Sequence, residues 1–81
     1  MKIIEYQRND ENNKYTIRYM KFRSFKQFLS YTMTMQKHCA ACNIHANYYE
    51  LRKDKLEKIL YISNTGTYCT LWTDYRHYNI G

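Results

Sequence analysis

A run of apolar side chains at helical spacing, flanked by alternating segments, constrains the fold of this 81-residue chain more than any other feature. The apolar positions recur at steps of three and four residues, which is the pattern of one buried helix face. They are Phe25, Phe28, Leu29, Thr32, Met35 and Cys39. Ser24 and Gln27 stand at the spacing of a capping box just before this run. The sequence therefore predicts a helix over residues 24–41.

The segments on either side alternate between apolar and polar side chains, which is typical of β-strands. Residues 2–8 and 14–22 predict a hairpin closed by the polar turn 9–13, and residues 44–52, 58–63 and 67–75 predict three more strands. Residues 48–60 also nearly fit a helix, but the turn on each side of residues 59–62 favours a second hairpin. Residues 1–81 are therefore predicted to form one small α+β domain in the order ββαβββ, with a single main helix packed on an antiparallel sheet.

Strand alternation further predicts which residues face the helix and which face away from it. The inner set is expected to be Tyr49, Leu51, Leu60, Ile62, Cys69 and Leu71. The outer set is then Tyr48, Glu50, Arg52, Tyr61, Tyr68, Thr70 and Trp72. The outer surface of the sheet is therefore expected to combine aromatic rings with a cation.

The basic residues are concentrated in one interval. No acidic residue occurs between Glu11 and Glu50, and outside that interval seven basic residues balance the seven acidic ones, so the interval carries the whole net charge of +6. Such a segregated field attracts an anionic partner. Aromatic rings beside cations suit single-stranded nucleic acid, because each stacked base contributes about 1–3 kcal/mol. The candidate binding residues are Lys14, Arg18, Lys21, Arg23, Lys26 and Lys37, together with Tyr48, Arg52, Tyr61 and Trp72.

The leading hypothesis is a small non-catalytic protein that engages nucleic acid or a nucleoprotein complex. One alternative is an inhibitor or adaptor, of the kind that phages and mobile elements make, which docks on an acidic surface of a host protein such as a defence nuclease. Another is a self-associating module whose aromatic sheet face is buried in a homodimer. Lysines on a helix also commonly form no more than a solvated surface.

The cysteines and histidines offer a second candidate site. Cys39 and Cys42 form a Cys-x2-Cys pair, and Cys69 and His77 complete a possible set of four zinc ligands. The pair lacks the glycine of a zinc knuckle and ends a predicted helix, so we expect Cys39 and Cys69 to be small buried groups and expect no cofactor.

No nucleophile, phosphate-loop or metalloprotease pattern indicates an enzyme. The odd number of cysteines and the acid at Glu5, where a signal peptide is apolar, favour a reducing, cytoplasmic location. No segment approaches the roughly 20 apolar residues of a membrane span, so no membrane partner is expected.

Overall fold

The structure is a computed structural model. It describes the backbone of residues 1–70 and the side chains of residues 1–68. Its elements are β1 Lys2–Asn9, β2 Tyr15–Lys21, α1 Phe25–Cys42, β3 Ile44–Arg52, β4 Lys55–Ile62 and β5 Tyr68–Thr70. The predicted α+β class and ββαβββ order are confirmed. Residues 48–60 lie in a hairpin, as expected, although β4 begins at Lys55 rather than at residue 58. The rest of the predicted fifth strand lies outside the described residues.

The five strands form one antiparallel sheet in the order β2-β1-β3-β4-β5. The β1–β2 hairpin therefore places β2 at an edge, and β3 returns from the helix to pair with the other side of β1. Nearly every side chain of β2 is exposed. Within residues 1–70, no helix combines the length and the apolar character that crossing a bilayer requires.

Helix α1 begins and ends where its local sequence favours a boundary. The Ser24 hydroxyl accepts the backbone N–H of Gln27 at 3.2 Å, which satisfies one of the free amides of the first turn. The Gln27 side chain accepts the backbone N–H of Arg23 at 2.6 Å, one residue earlier than in a standard capping box. The helix ends at Cys42 and is capped by Asn43, whose φ of 56° lies in the left-handed region that asparagine tolerates well.

The core lies between α1 and one face of the sheet. The six predicted helix positions are all buried, which confirms the predicted inner face. They pack against Ile3, Ala46, Tyr48, Ile59, Leu60 and Ile62. The sheet therefore has a helix face, which is covered by α1, and an opposite face, which we call the open face.

The expected orientation of β3 is wrong by one residue. Tyr48 is fully buried and Glu50 is 5% exposed on the helix face, whereas Tyr49 and Leu51 lie on the open face. The reason is a polar partner inside the core: the Tyr48 hydroxyl donates to Glu5 on β1 at 2.6 Å. A tyrosine whose hydroxyl has a hydrogen-bond partner is stable in a core. Because side chains alternate along a strand, the burial of Tyr48 then fixes the face on which every other β3 side chain lies.

The expected orientation of Tyr68 is also wrong. Its hydroxyl lies 2.7 Å from the hydroxyl of Thr32 on α1, so the ring faces the helix. Leu60 and Ile62 are buried as expected. The side chains of Cys69, Thr70, Leu71 and Trp72 lie outside the described ones.

One irregularity in β4 determines what reaches the open face. Tyr48 pairs with Leu60 while Tyr49 pairs with Lys58, so Ile59 is an extra residue of the bulge type. Ile59 and Leu60 are consecutive and both fully buried. Because of this extra residue, Lys58 lies beside Tyr49 on the open face.

Candidate functional site

Cross-strand pairing arranges the open face in four rows that run across β2, β1, β3 and β4, since directly paired residues share a face. The rows hold Lys21, Lys2, Leu51 and Leu56; then Tyr19, Ile4, Tyr49 and Lys58; then Ile17, Tyr6, Asn47 and Tyr61; and finally Tyr15, Arg8 and His45. Rows are separated by two residues along each strand, or about 6.7 Å.

The carboxylates of the strands are confined to one face of the sheet. The open-face positions of β1–β4 include four cations and no carboxylate; the cations are Lys2, Arg8, Lys21 and Lys58. The acidic residues of the same strands, Glu5, Glu50 and Glu57, all lie at helix-face positions. Lys2 and Lys21 are directly opposite each other, an arrangement that repels in the free protein. The strand positions of the open face therefore carry a net positive charge, while the carboxylate of Asp10, in the turn after β1, lies 2.9 Å from the His45 ring in the last row.

Aromatic rings cover much of the same face. The Tyr19 side chain is 80% exposed, and Tyr15 is 64% exposed while its ring stacks on that of Tyr6 at a centroid distance of 5.7 Å. The Tyr61 ring lies 5.9 Å from the ring of His45. Exposed rings with an open π-face, placed beside cations, are the groups that hold unpaired bases and their phosphates.

A shallow hollow of about 460 Å³ lies in the middle of the open face. It is lined by Ile4, Tyr6, Ile17, Tyr19, Asn47, Tyr49, Leu56 and Lys58. Ile17 and Leu56 are both about half exposed there, although they are large apolar side chains. Contiguous exposed apolar surface with a polar rim commonly marks a binding surface.

The six cations of the acid-free interval do not form one surface, contrary to the expectation from their clustering along the chain. Lys21 lies on the open face, whereas Arg18 lies on the other side of β2. The Arg18 guanidinium is 3.7 Å from the Glu5 carboxylate. Lys26 and Lys37 are exposed on the side of α1 turned away from the sheet.

The remaining predicted residues are also dispersed. Lys14 precedes β2 at the hairpin turn, and Arg23 lies in the connection to α1. Alternation places Arg52 at a helix-face position at the end of β3. Sequence reasoning grouped the charged residues by their position along the chain and did not consider which face of the sheet each strand residue occupies.

The three predicted aromatic contact residues have different outcomes. Tyr48 is buried against Phe28 and cannot stack on a ligand. Trp72 lies outside the described residues, whereas Tyr61 is on the open face as predicted. The rings that sequence reasoning did not select are Tyr6, Tyr15, Tyr19 and Tyr49. The alternation of Tyr15, Ile17 and Tyr19 in β2 is the signal that was available.

Glu5 is the centre of a polar cluster inside the core. Its carboxylate accepts the hydroxyls of Tyr31 at 2.5 Å and Tyr48 at 2.6 Å, and the Gln7 side-chain amide at 2.8 Å. Burial, followed by the hydrogen bond to Glu5, raises the pKa of both tyrosines, so both hydroxyls remain donors. A buried carboxylate with this many donors has a structural role, because its desolvation is compensated.

The cysteines are separated by burial. Cys39 is fully buried, as expected, and burial raises the pKa of its thiol to about 11, which disfavours the thiolate that zinc binds. Cys42 is exposed, with its Sγ 3.8 Å from His38 Nδ1. No three potential metal ligands cluster among the described side chains, those of residues 1–68. The Cys69 side chain and His77, which complete the predicted zinc set, lie outside the described residues.

Comparison with protein-family models, with curated proteins and with solved structures gives no match for this chain.

Proposed function

We propose that this protein is a non-catalytic binding protein that holds single-stranded nucleic acid on the open face of its sheet. The observation that carries the proposal is the coincidence, on one face, of tyrosine rings with four cations and no strand carboxylate. A duplex hides the faces of its bases, so exposed rings favour an unpaired strand.

The arrangement of the cations supports contact with a phosphate backbone. Lys2 and Lys21 lie side by side at one end of the face, and Arg8 lies three rows away beside Tyr15. Lysine and arginine contacts to phosphate supply affinity without reading sequence, and they make binding dependent on salt. A bound phosphate also relieves the repulsion between Lys2 and Lys21.

Two charge variants with the same net charge test the proposal. Lys2→Gln/Lys21→Gln removes two cations from the open face, and Lys26→Gln/Lys37→Gln removes two from the exposed side of α1. Fluorescence anisotropy with a labelled 12-nucleotide single strand is measured across a salt series. The first variant is expected to bind more weakly and to lose about 1.4 from the log–log salt slope, at about 0.7 for each phosphate contact. The second is expected to keep nearly the wild-type slope.

An aromatic pair tests stacking in the same assay. Tyr19→Ala is expected to cost about 1–3 kcal/mol of binding free energy, and Met33→Ala, an exposed apolar position on α1, is expected to cost almost none. Absence of binding at low salt, or equal losses from the two charge variants, would refute the proposal. In that case a partner captured after nuclease digestion supports direct docking on a protein.

A further inference from the structure

Asn47 is an uncharged polar side chain in the middle of an otherwise aromatic and apolar part of the open face. Its cross-strand neighbours are Tyr6 on β1 and Tyr61 on β4. No hydrogen bond joins its side-chain amide to another group in the described part of the chain. The amide has two N–H donors and a carbonyl acceptor, all available to a ligand.

An unpartnered amide in this position restricts what can cover it. A purely apolar ligand would remove water from the Asn47 amide without replacing its hydrogen bonds, which is costly. A flat ligand with a polar edge can form hydrogen bonds with the Asn47 amide through that edge and stack on the surrounding rings with its apolar faces. A nucleobase has this shape.

The hollow around Asn47 has the size of a small-molecule site. Its volume of about 460 Å³ falls within the roughly 300–1,000 Å³ of ligand pockets. Tyr19 and Tyr49 supply rings at its rim, and Lys58 is the one cation among its lining residues. The Lys58 ammonium lies 5.5 Å from the centre of the Tyr61 ring, at the edge of the hollow.

We propose that this hollow binds one adenine base of the single strand, with the Asn47 amide pairing to the edge of the base; this inference rests on the proposed function. A side-chain amide presents a donor beside an acceptor, and the bidentate partner that asparagine commonly takes on a base is the adenine N6 amino group together with N7. The tyrosine rings stack on the base, and Lys58 contacts the neighbouring phosphate. Asn47 thus makes the open face prefer one base, whereas its other contacts do not distinguish between bases.

The test compares two strands that differ at one functional group. One is a thymine 9-mer with a single central adenine, and the other carries purine without the 6-amino group at that position. Anisotropy titrations are run with the wild type, Asn47→Leu and Tyr19→Leu. The wild type is expected to prefer adenine by about 2- to 13-fold, because purine keeps N7 and loses only the hydrogen bond of the 6-amino group. Asn47→Leu is expected to lose the preference, whereas Tyr19→Leu weakens both strands and retains it.

The outcomes separate this inference from the function on which it rests. If the wild type binds both strands equally, or if Asn47→Leu keeps the preference, the adenine site is overturned while single-strand binding stands. If the wild type binds neither strand, the proposed function fails. A last titration uses dAMP. If dAMP binds as tightly as the adenine strand, the ligand of the hollow is a free nucleotide and not a single strand. Circular dichroism melting confirms that each variant is folded.

Discussion

Removing one hydroxyl from the core, by Tyr48→Phe, tests the polar cluster around Glu5. The Tyr48 hydroxyl donates to the carboxylate at 2.6 Å, and both residues are fully buried. Because water cannot replace the lost donor, the expected cost is that of a hydrogen bond to a charged group, about 1.5–3 kcal/mol. For a domain whose total stability is about 5–15 kcal/mol, this is a large effect.

The neighbouring residue provides the control. Tyr49→Phe removes the same atom from the open face, where the side chain is only partly buried, and is expected to change stability by less than about 0.5 kcal/mol. Urea unfolding followed by far-ultraviolet circular dichroism measures both variants. Equal midpoints for Tyr48→Phe and Tyr49→Phe would show that the cluster does not stabilise the fold.

A double variant shows whether the cluster acts as a unit. Tyr31 also donates to Glu5 Oε2, so Tyr31→Phe alone leaves the Tyr48 donor in place. Tyr31→Phe/Tyr48→Phe leaves that oxygen without either donor, and the combined loss is expected to exceed the sum of the single losses by about 0.5–3 kcal/mol. Additive losses would indicate two independent contacts.

Two further predictions concern stability. Burial raises the pKa of Glu50 above its ordinary value of 4.5, so the stability present below pH 4.5 is lost as the pH rises through the folded-state value. Glu50→Gln should therefore flatten the fall in melting temperature from about pH 4.5 towards neutrality, and identical pH curves would contradict this. Gly66 has a φ of +84°, and an added Cβ would lie 2.7 Å from the Gln36 carbonyl oxygen. Gly66→Ala should therefore cost at least about 1–2 kcal/mol in urea unfolding, and a wild-type midpoint would contradict this.

Local periodicity was sufficient to predict the helix and the outer part of β4, but not the face on which the side chains of β3 lie. The buried positions of α1 follow from spacing alone, because a helix has one apolar stripe. In β2, alternation separates Tyr15, Ile17 and Tyr19 from Thr16 and Arg18, yet it does not say which set lies on the side of the sheet that carries α1. That choice depends on contacts distant in sequence.

The partner of Tyr48 shows why such contacts are hidden in the sequence. Glu5 is a carboxylate that composition alone predicts to be exposed, and its burial depends on donors from β3 and α1 together. The extra residue at Ile59 shifts the alternation of β4 and has no clear sequence signature. The candidate site depends on both features, since they decide that Tyr49 and Lys58 share the open face.

The position of β2 at the edge of the sheet has a consequence for the behaviour of the protein at high concentration. No other strand of the described residues pairs with its outer side, and an unpaired edge of this kind is where sheets grow into aggregates. Arg18 is the central residue of β2, so two copies that pair antiparallel about their midpoints bring two guanidinium groups together. Repulsion between the two guanidinium groups therefore opposes edge-to-edge growth, although the Glu5 carboxylate that lies 3.7 Å from each of them reduces it, and a polyanion that screens Arg18 weakens it further.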